Sequence, residues 1–221
     1  MCFGIDKPMT HPCFISILLR AICFALALVL PAICGDVLCA GKTPVGLCGR
    51  VYLCSGDTIS ADGDTRIGAP VKSKKLEIIE HAYTKAGKVE RKIAPAEVDS
   101  VVLWPTTAPG RPRTFRFVKD YGWCWELERN PWLTVYCHSP KGYHFAGNGG
   151  LWLRGKGTML VVKDGRTYNL GRPDKKISAK ARRQAMELVA DDAALSAYLS
   201  TARGRADKVL RSLGKYHPDK N

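Results

Sequence analysis

Four tryptophans and three tyrosines crowd one short part of this sequence: Trp123, Trp125, Trp132 and Trp152, with Tyr121, Tyr136 and Tyr143. Rings at this density serve one of two ends. They fill the core of a sheet, where Trp and Tyr are favoured strand residues, or they form an open face that stacks on sugar rings or grips a peptide. On an extended strand Trp123 and Trp125 share a face by alternation. Folding the chain back around Arg129-Asn130-Pro131 adds Tyr136 to that face. If the face is open, Arg129, Lys141 and Arg154 nearby suit an anionic ligand. The candidate ligand-binding residues are therefore Trp123, Trp125, Tyr136, Arg129 and Arg154.

The same turn makes a prediction about thiols. Nine cysteines occur in the chain, and those after residue 40 are Cys48, Cys54, Cys124 and Cys137. A turn centred between Asn130 and Pro131 sets Trp125 opposite Tyr136 and Cys124 opposite Cys137. As a non-hydrogen-bonded pair, their Cα atoms would approach to about 4.5 Å, within disulfide range. Cys124 and Cys137 are thus the disulfide candidates. Cys48 and Cys54 sit in one expected strand over 45–54, and six residues of strand span about 20 Å. They cannot bond to each other unless the strand breaks, at Gly49 for instance; otherwise they are buried thiols, or one of them meets the hairpin pair. A zinc set of Cys124, Cys137, His138 and His144 matches no compact ligand spacing, so no metal is expected.

Other chemistry is sparse. No paired-histidine metalloprotease helix and no Gly-x-Ser-x-Gly elbow occurs. His81, His138 and His144 are scattered and read as structural. Gly41-Lys42-Thr43 lacks a glycine at the spacing a phosphate loop requires, since five residues separate Gly35 from Gly41 rather than four. No cofactor is implied. Two functional classes remain: a non-enzymatic binding or interaction module, and a hydrolase of envelope polymers using carboxylates such as Glu126 or Glu128.

These residues need a β scaffold to position them. From about residue 45 to 170, short apolar and β-branched runs alternate with turn residues. Strands are expected over 45–54, 75–84, 89–93, 98–104, 114–118, 121–128, 132–138, 151–154, 158–163 and 166–170. Asp164-Gly165 between the last two is a strong hairpin signal. After Pro173 the period changes: Ala181, Ala185 and Leu188, then Leu195 and Leu199, then Ala206, Val209, Leu210 and Leu213 recur at helical spacing. Ser178 and Asp191 or Asp192 can cap the first two helices, and Gly214 can stop the last. The fold class is α+β. An antiparallel sheet over 41–172, as a sandwich or open barrel, is followed by a helical segment over 173–221 packed on it.

Residues 1–40 differ from the rest. Lys7 and Arg20 precede an apolar run over 21–33, followed by small residues near Ala40, as in a signal peptide cleaved after Leu38-Cys39-Ala40. An uncleaved single-pass anchor over 13–34 is the rival. Either way the body is exported, to the periplasm or cell surface, where an even number of cysteines suggests disulfides. The leader carries Lys7 and Arg20 against Asp6 and Asp36, so the formal charge of +14 belongs to the remainder. Outside the cytoplasm that charge excludes nucleic acid as the natural partner and points to an anionic envelope component: glycan, lipid head group or acidic protein. Membrane contact is expected only through the N-terminal segment, if it stays attached.

Two resemblances carry names. Gly49-Arg50-Val51-Tyr52-Leu53, then Gly56-Asp57-Thr58, the hairpins, and Asp191-Asp192 ahead of a closing helix make the chain resemble uncharacterised exported β-rich proteins of Gram-negative bacteria. That resemblance implies location and architecture but no reaction. The tail, Arg211, Lys215 and Tyr216 before His217-Pro218-Asp219, resembles the helix and loop of a J-domain co-chaperone, which implies a chaperone ATPase partner. The family places core leucines where Ser212 and Gly214 stand, and a third helix after the loop has no counterpart before Asn221. The tripeptide is read as a coincidence in a frayed, helix-terminating end.

Overall fold

The computed structural model describes residues 47–70, 75–84 and 87–218. The 1–40 leader, Gly41-Lys42-Thr43, the start of the 45–54 strand and Asp219 lie outside them. The strands are β1 (Cys48–Leu53), β2 (Thr58–Ala61), β3 (Arg66–Ile67), β4 (Leu76–Glu80), β5 (Val89–Ile93), β6 (Val98–Trp104), β7 (Arg113–Val118), β8 (Gly122–Arg129), β9 (Leu133–His138), β10 (Tyr143–Phe145), β11 (Leu151–Leu153), β12 (Thr158–Lys163) and β13 (Arg166–Asn169). The helices α1 (Ala179–Leu188), α2 (Ala193–Thr201) and α3 (Ala206–Leu210) follow, and α3 runs on into a 3-10 turn, Arg211–Lys215. The architecture is α+β with its helices gathered at the C-terminal end, as the patterning implies. The described residues all belong to one compact unit.

Eight strands make one antiparallel sheet in the order β13-β12-β9-β8-β7-β6-β1-β2; β3-β4-β5 and β10-β11 form two smaller sheets. The large sheet keeps two edges, so it is open. Across it, Val51 faces Val101, Val101 faces Phe115, Phe115 faces Trp125, Trp125 faces Cys137 and Cys137 faces Met159. Cross-strand partners point the same way, so these residues define one inner face. Two layers share it. Over the β1–β6–β7 half, Ile67, Leu76, Ile78 and Ile93 of the three-stranded sheet and Tyr143 of the β10–β11 hairpin bury Val51, Val101 and Phe115. Over the β9–β12 half, Ala185, Leu188, Leu199, Val209 and Leu210 of the helices bury Val135, Cys137, Met159 and Val161. Trp125 and Leu153 touch both cores, which places them on the seam.

Local chemistry explains several boundaries. Both turn residues before β13 have positive φ, 51° at Asp164 and 71° at Gly165, as a two-residue type I′ hairpin requires. The Ser178 hydroxyl accepts from the Ala181 N–H, and the buried Asp192 carboxylate, rather than Asp191, accepts from the Leu195 N–H. Gly49 does not break β1. It lies mid-strand because a Cβ there would collide with the Val102 carbonyl and come within 2.8 Å of Leu103 Cδ2.

The β8–β9 register differs from the one expected for two reasons: the turn is centred between Pro131 and Trp132, one residue late, with Arg129 opposite Thr134, and a bulge follows it. Glu126 pairs with Tyr136 but Glu128 pairs with Val135, leaving Leu127 as the extra residue. Past that point Trp125 is opposite Cys137 and Cys124 is opposite His138. Cys124 and Cys137 therefore point to opposite faces of the sheet and hold free thiols, not a disulfide. The bulge also separates the carboxylates. Glu126 stays on the outer face, while Glu128 is turned toward the helices with Val135.

The tail is docked rather than frayed, as far as Pro218. The Asn130 side chain donates to the carbonyls of Leu213, Gly214 and Tyr216 at 3.2 to 3.3 Å, while its own oxygen accepts from the Trp132 and Leu133 N–H groups. Tyr216, 2% exposed, donates its hydroxyl proton to Asp191 and accepts from Lys163 Nζ at 2.8 Å. The His217 ring lies edge-on to Trp132, with centroids 4.5 Å apart, and the His217 backbone N–H donates to the Asp192 carboxylate. Gly214 sits inside the 3-10 turn and does not stop it. Its lack of a side chain serves close approach, since a Cβ there would lie 2.9 Å from Glu128 Cβ.

Candidate ligand cleft

The two sequence-nominated tryptophans have different fates because they meet different layers. Trp123 is 3% exposed, packed edge-on against Phe117 in the core under the three-stranded sheet. Trp125, one pair further along, reaches the seam, where sheet-on-sheet packing gives way to helix-on-sheet packing. A gap opens there between the two layers. It is a cleft of about 420 Å³, floored by Trp125, Leu127 and Cys137. The β11 side supplies Trp152 and Leu153; Pro173, Arg205 and Arg211 stand on the other.

Two guanidiniums flank the Trp125 ring. Arg113 and Arg211 lie over it at 5.8 and 5.7 Å from the ring centroid. Each such contact contributes about 0.5 to 2 kcal/mol, more as it is desolvated. Their surroundings differ. Arg211 donates to the Glu128 carboxylate at 2.9 Å and to the Leu127 carbonyl. Arg113 donates only to backbone carbonyls, those of Pro112 at 2.9 Å and Gly149 at 3.3 Å. Burial, with the neighbouring Arg111 and Arg211 cations, holds Arg113 below the ordinary arginine range. An arginine in that position gains from an arriving anion. The other charges of the cleft are neutralised in pairs: Arg205 with Asp207 at 2.8 Å, and Arg172 with Asp174 at 2.7 Å.

The β10–β11 hairpin forms the cleft's outer wall and is held from both sides. The Tyr143 hydroxyl accepts from the Trp125 N–H and donates to the Cys137 carbonyl at 2.8 Å, so it is inserted between β8 and β9. At the loop, Thr107 donates to the Gly147 carbonyl and Arg113 to that of Gly149. Trp152 on this hairpin is 59% exposed and lines the cleft, a second ring open to a ligand. Cys137 on the floor has its thiol pushed up to about 12 by burial, with the Asp207 charge acting in the same direction. It is an inert apolar group rather than a nucleophile.

The remaining candidates lie elsewhere. Tyr136 is on the outer face with Glu126, 6% exposed and packed with Cys124 and Leu160, so it does not share a face with Trp125. Arg129 is paired with Glu126 on that side at 3.6 Å, and Glu126 is held by Arg116 at 2.8 Å. Arg154 is exposed in the turn after β11, between the cleft residues Leu153 and Gly155. The histidines are apart from one another. His81 bonds to Asp64, His138 packs edge-on to Tyr121, and His144 is opposite Trp152. Among the described residues no group of three or more His, Cys, Asp or Glu side chains could hold a metal ion.

Sequence reasoning missed Arg113 and Arg211. The signal for Arg113 was its place two residues before Phe115 on the same strand face, opposite Leu103. Arg211 had none, because only the docking of the 3-10 turn on the β8 bulge brings it to Trp125. No protein-family model matches this chain, and neither a curated protein nor a solved structure matches it.

Proposed function

We propose that this chain is an exported, non-enzymatic binding module of the bacterial cell envelope, and that its seam cleft takes a ring-bearing anionic ligand. An acidic sugar of an envelope glycan is the chemical class that fits best. The observation that carries this reading is the Trp125 floor beneath two guanidiniums, one of which, Arg113, has no carboxylate partner among the described residues. A sugar ring lies against Trp125 and the exposed Trp152, its carboxylate is drawn toward Arg113, which lies over Trp125 beside the lining residues, and its hydroxyls find donors and acceptors in Arg205, Asp174 and Asp207 along the wall. The leader expected over residues 1–40 and the +14 charge support the location and the preference for an anion.

Glycoside hydrolysis uses two carboxylates facing one substrate, and the two that line the cleft, Asp174 and Asp207, are each engaged by an arginine. Glu126 and Glu128 lie on opposite sides of the sheet, each engaged by arginine. The tail tripeptide begins at His217, which is packed on Trp132. Both observations favour the binding module over the rival readings. Calorimetric titration of the full-length protein with an oligouronate, and with a neutral oligosaccharide of equal length, tests the proposal. Binding of the acidic sugar alone, weakened about tenfold in Arg113→Gln, is expected. No binding of either sugar, or equal binding of both, refutes it.

A further inference from the structure

A second, independent feature lies where α1 begins. The chain around Lys175 and Lys176 is stitched to the Arg203–Arg205 segment. Lys176 and Arg205 form an antiparallel bridge, the Ile177 N–H donates to the Gly204 carbonyl at 3.0 Å, and the Ala206 N–H donates to the Lys175 carbonyl at 2.8 Å. On α1, Ala181 and Ala185 turn inward, so Lys180 and Arg183, three residues apart, point outward. Five cations are thereby gathered at one end of the helical layer: Lys175, Lys176, Lys180, Arg183 and Arg203, all exposed. Among the described residues none of them has a carboxylate within ion-pair distance. The nearest acidic groups are Asp174, engaged by Arg172, Asp207, engaged by Arg205, and Glu187, which stands four residues after Arg183 on α1 and forms no ion pair among the described residues.

We infer that this end of the molecule docks on an anionic lipid bilayer, the phosphate headgroups of a membrane leaflet being its partner. The side chains are long, exposed and without fixed partners, so they present charge density rather than an oriented set of donors. A fluid lattice of headgroups asks for that, whereas a single bound polyanion asks for fixed geometry. The positive end of α1, whose first turn carries no acidic residue, adds to the same field. Each cation close to a charged leaflet increases partitioning about fivefold. Five together give a preference on the order of a thousandfold for anionic over neutral membranes at low salt, falling as the Debye length shortens. This contact belongs to the folded body and adds to whatever the N-terminal segment supplies.

The test is the ratio of vesicle partition coefficients, phosphatidylglycerol-containing over pure phosphatidylcholine, for the full-length chain and for its K175Q/K176Q/K180Q/R183Q/R203Q variant. Taking the ratio cancels the leader. The wild type should show a ratio of hundreds to thousands that collapses with added salt, and the variant a ratio of a few. Its thermal unfolding should match the wild type, since all five sites are exposed and form no ion pair among the described residues. Equal ratios in the two proteins overturn the inference. So does a wild type that binds soluble polyphosphate while showing no preference between the vesicles.

Discussion

Asn130 is the residue by which the β8–β9 turn grips the tail, and removing it gives a sharply defined prediction. Its oxygen accepts from Trp132 and Leu133 at 3.0 and 2.8 Å; its amide has two protons to share among the carbonyls of Leu213, Gly214 and Tyr216. At most four of the five hydrogen bonds are therefore made at once. At about 0.5 to 1.5 kcal/mol each, and with water reaching the half-buried turn to replace some of them, Asn130→Ala should cost about 2 to 3 kcal/mol. With an m-value of about 2 kcal/mol/M, the urea midpoint should fall by about 1 to 1.5 M. Asn130→Asp separates the two halves of the role. It keeps both acceptor bonds inside the turn but sets a carboxylate oxygen against three carbonyls. Hydrogen exchange should then show the Trp132 and Leu133 amides still protected, while the Tyr216 amide, bonded to the Leu213 carbonyl, exchanges freely. A loss below about 0.5 kcal/mol in the alanine variant, or wild-type exchange of Tyr216 in the aspartate variant, would refute the clamp.

Three further outcomes follow from named contacts. Gly49→Ala drives a Cβ into the Val102 carbonyl and Leu103 and should lower stability by about 3 kcal/mol or more, because backbone cannot yield as a side chain can; near-wild-type thermal unfolding would contradict this. Native alkylation followed by peptide mapping should label Cys54 while sparing Cys48, Cys124 and Cys137, all buried, and a Cys124–Cys137 linked peptide would contradict the bulged register. The tail should also be sensitive to pH at both extremes. The Tyr216 hydroxyl holds Asp191 below its ordinary range, so that stability is present above about pH 4 and is lost as pH falls through the depressed value. Burial first, and the Asp191 contact in addition, raise Tyr216, whose contribution is present below about pH 10 and is lost as pH rises through the elevated value. Tyr216→Phe should flatten the urea midpoint at both ends relative to wild type.

Much of the scaffold was legible because it rests on local rules. β6 and β12 appear at the residues their alternation marks, and Asp164-Gly165 turns as its two positive φ values require. Ser178 begins α1 because its hydroxyl can reach a free N–H. What was not legible depends on single events without a local signal. The extra residue at Leu127 reverses which face Glu128 presents and separates Cys124 from Cys137, yet nothing in Trp-Glu-Leu-Glu announces it. The strands β2, β3 and β10, four residues or fewer, are held by neighbours rather than by pattern. The aromatic cluster pointed to the right region with the wrong membership. Alternation identified Trp125, but only the meeting of two layers decides that Trp125 lines a cleft while Trp123 fills a core.

The most direct test of the cleft is the indole N–H spectrum of the full-length protein, in which the five tryptophans give separate signals, followed as an oligouronate is added. The Trp125 and Trp152 signals should move together and saturate, with Trp123 and Trp132 unmoved. Binding that shifts Trp132 while leaving Trp125 in place, or that moves no indole at all, would contradict the account.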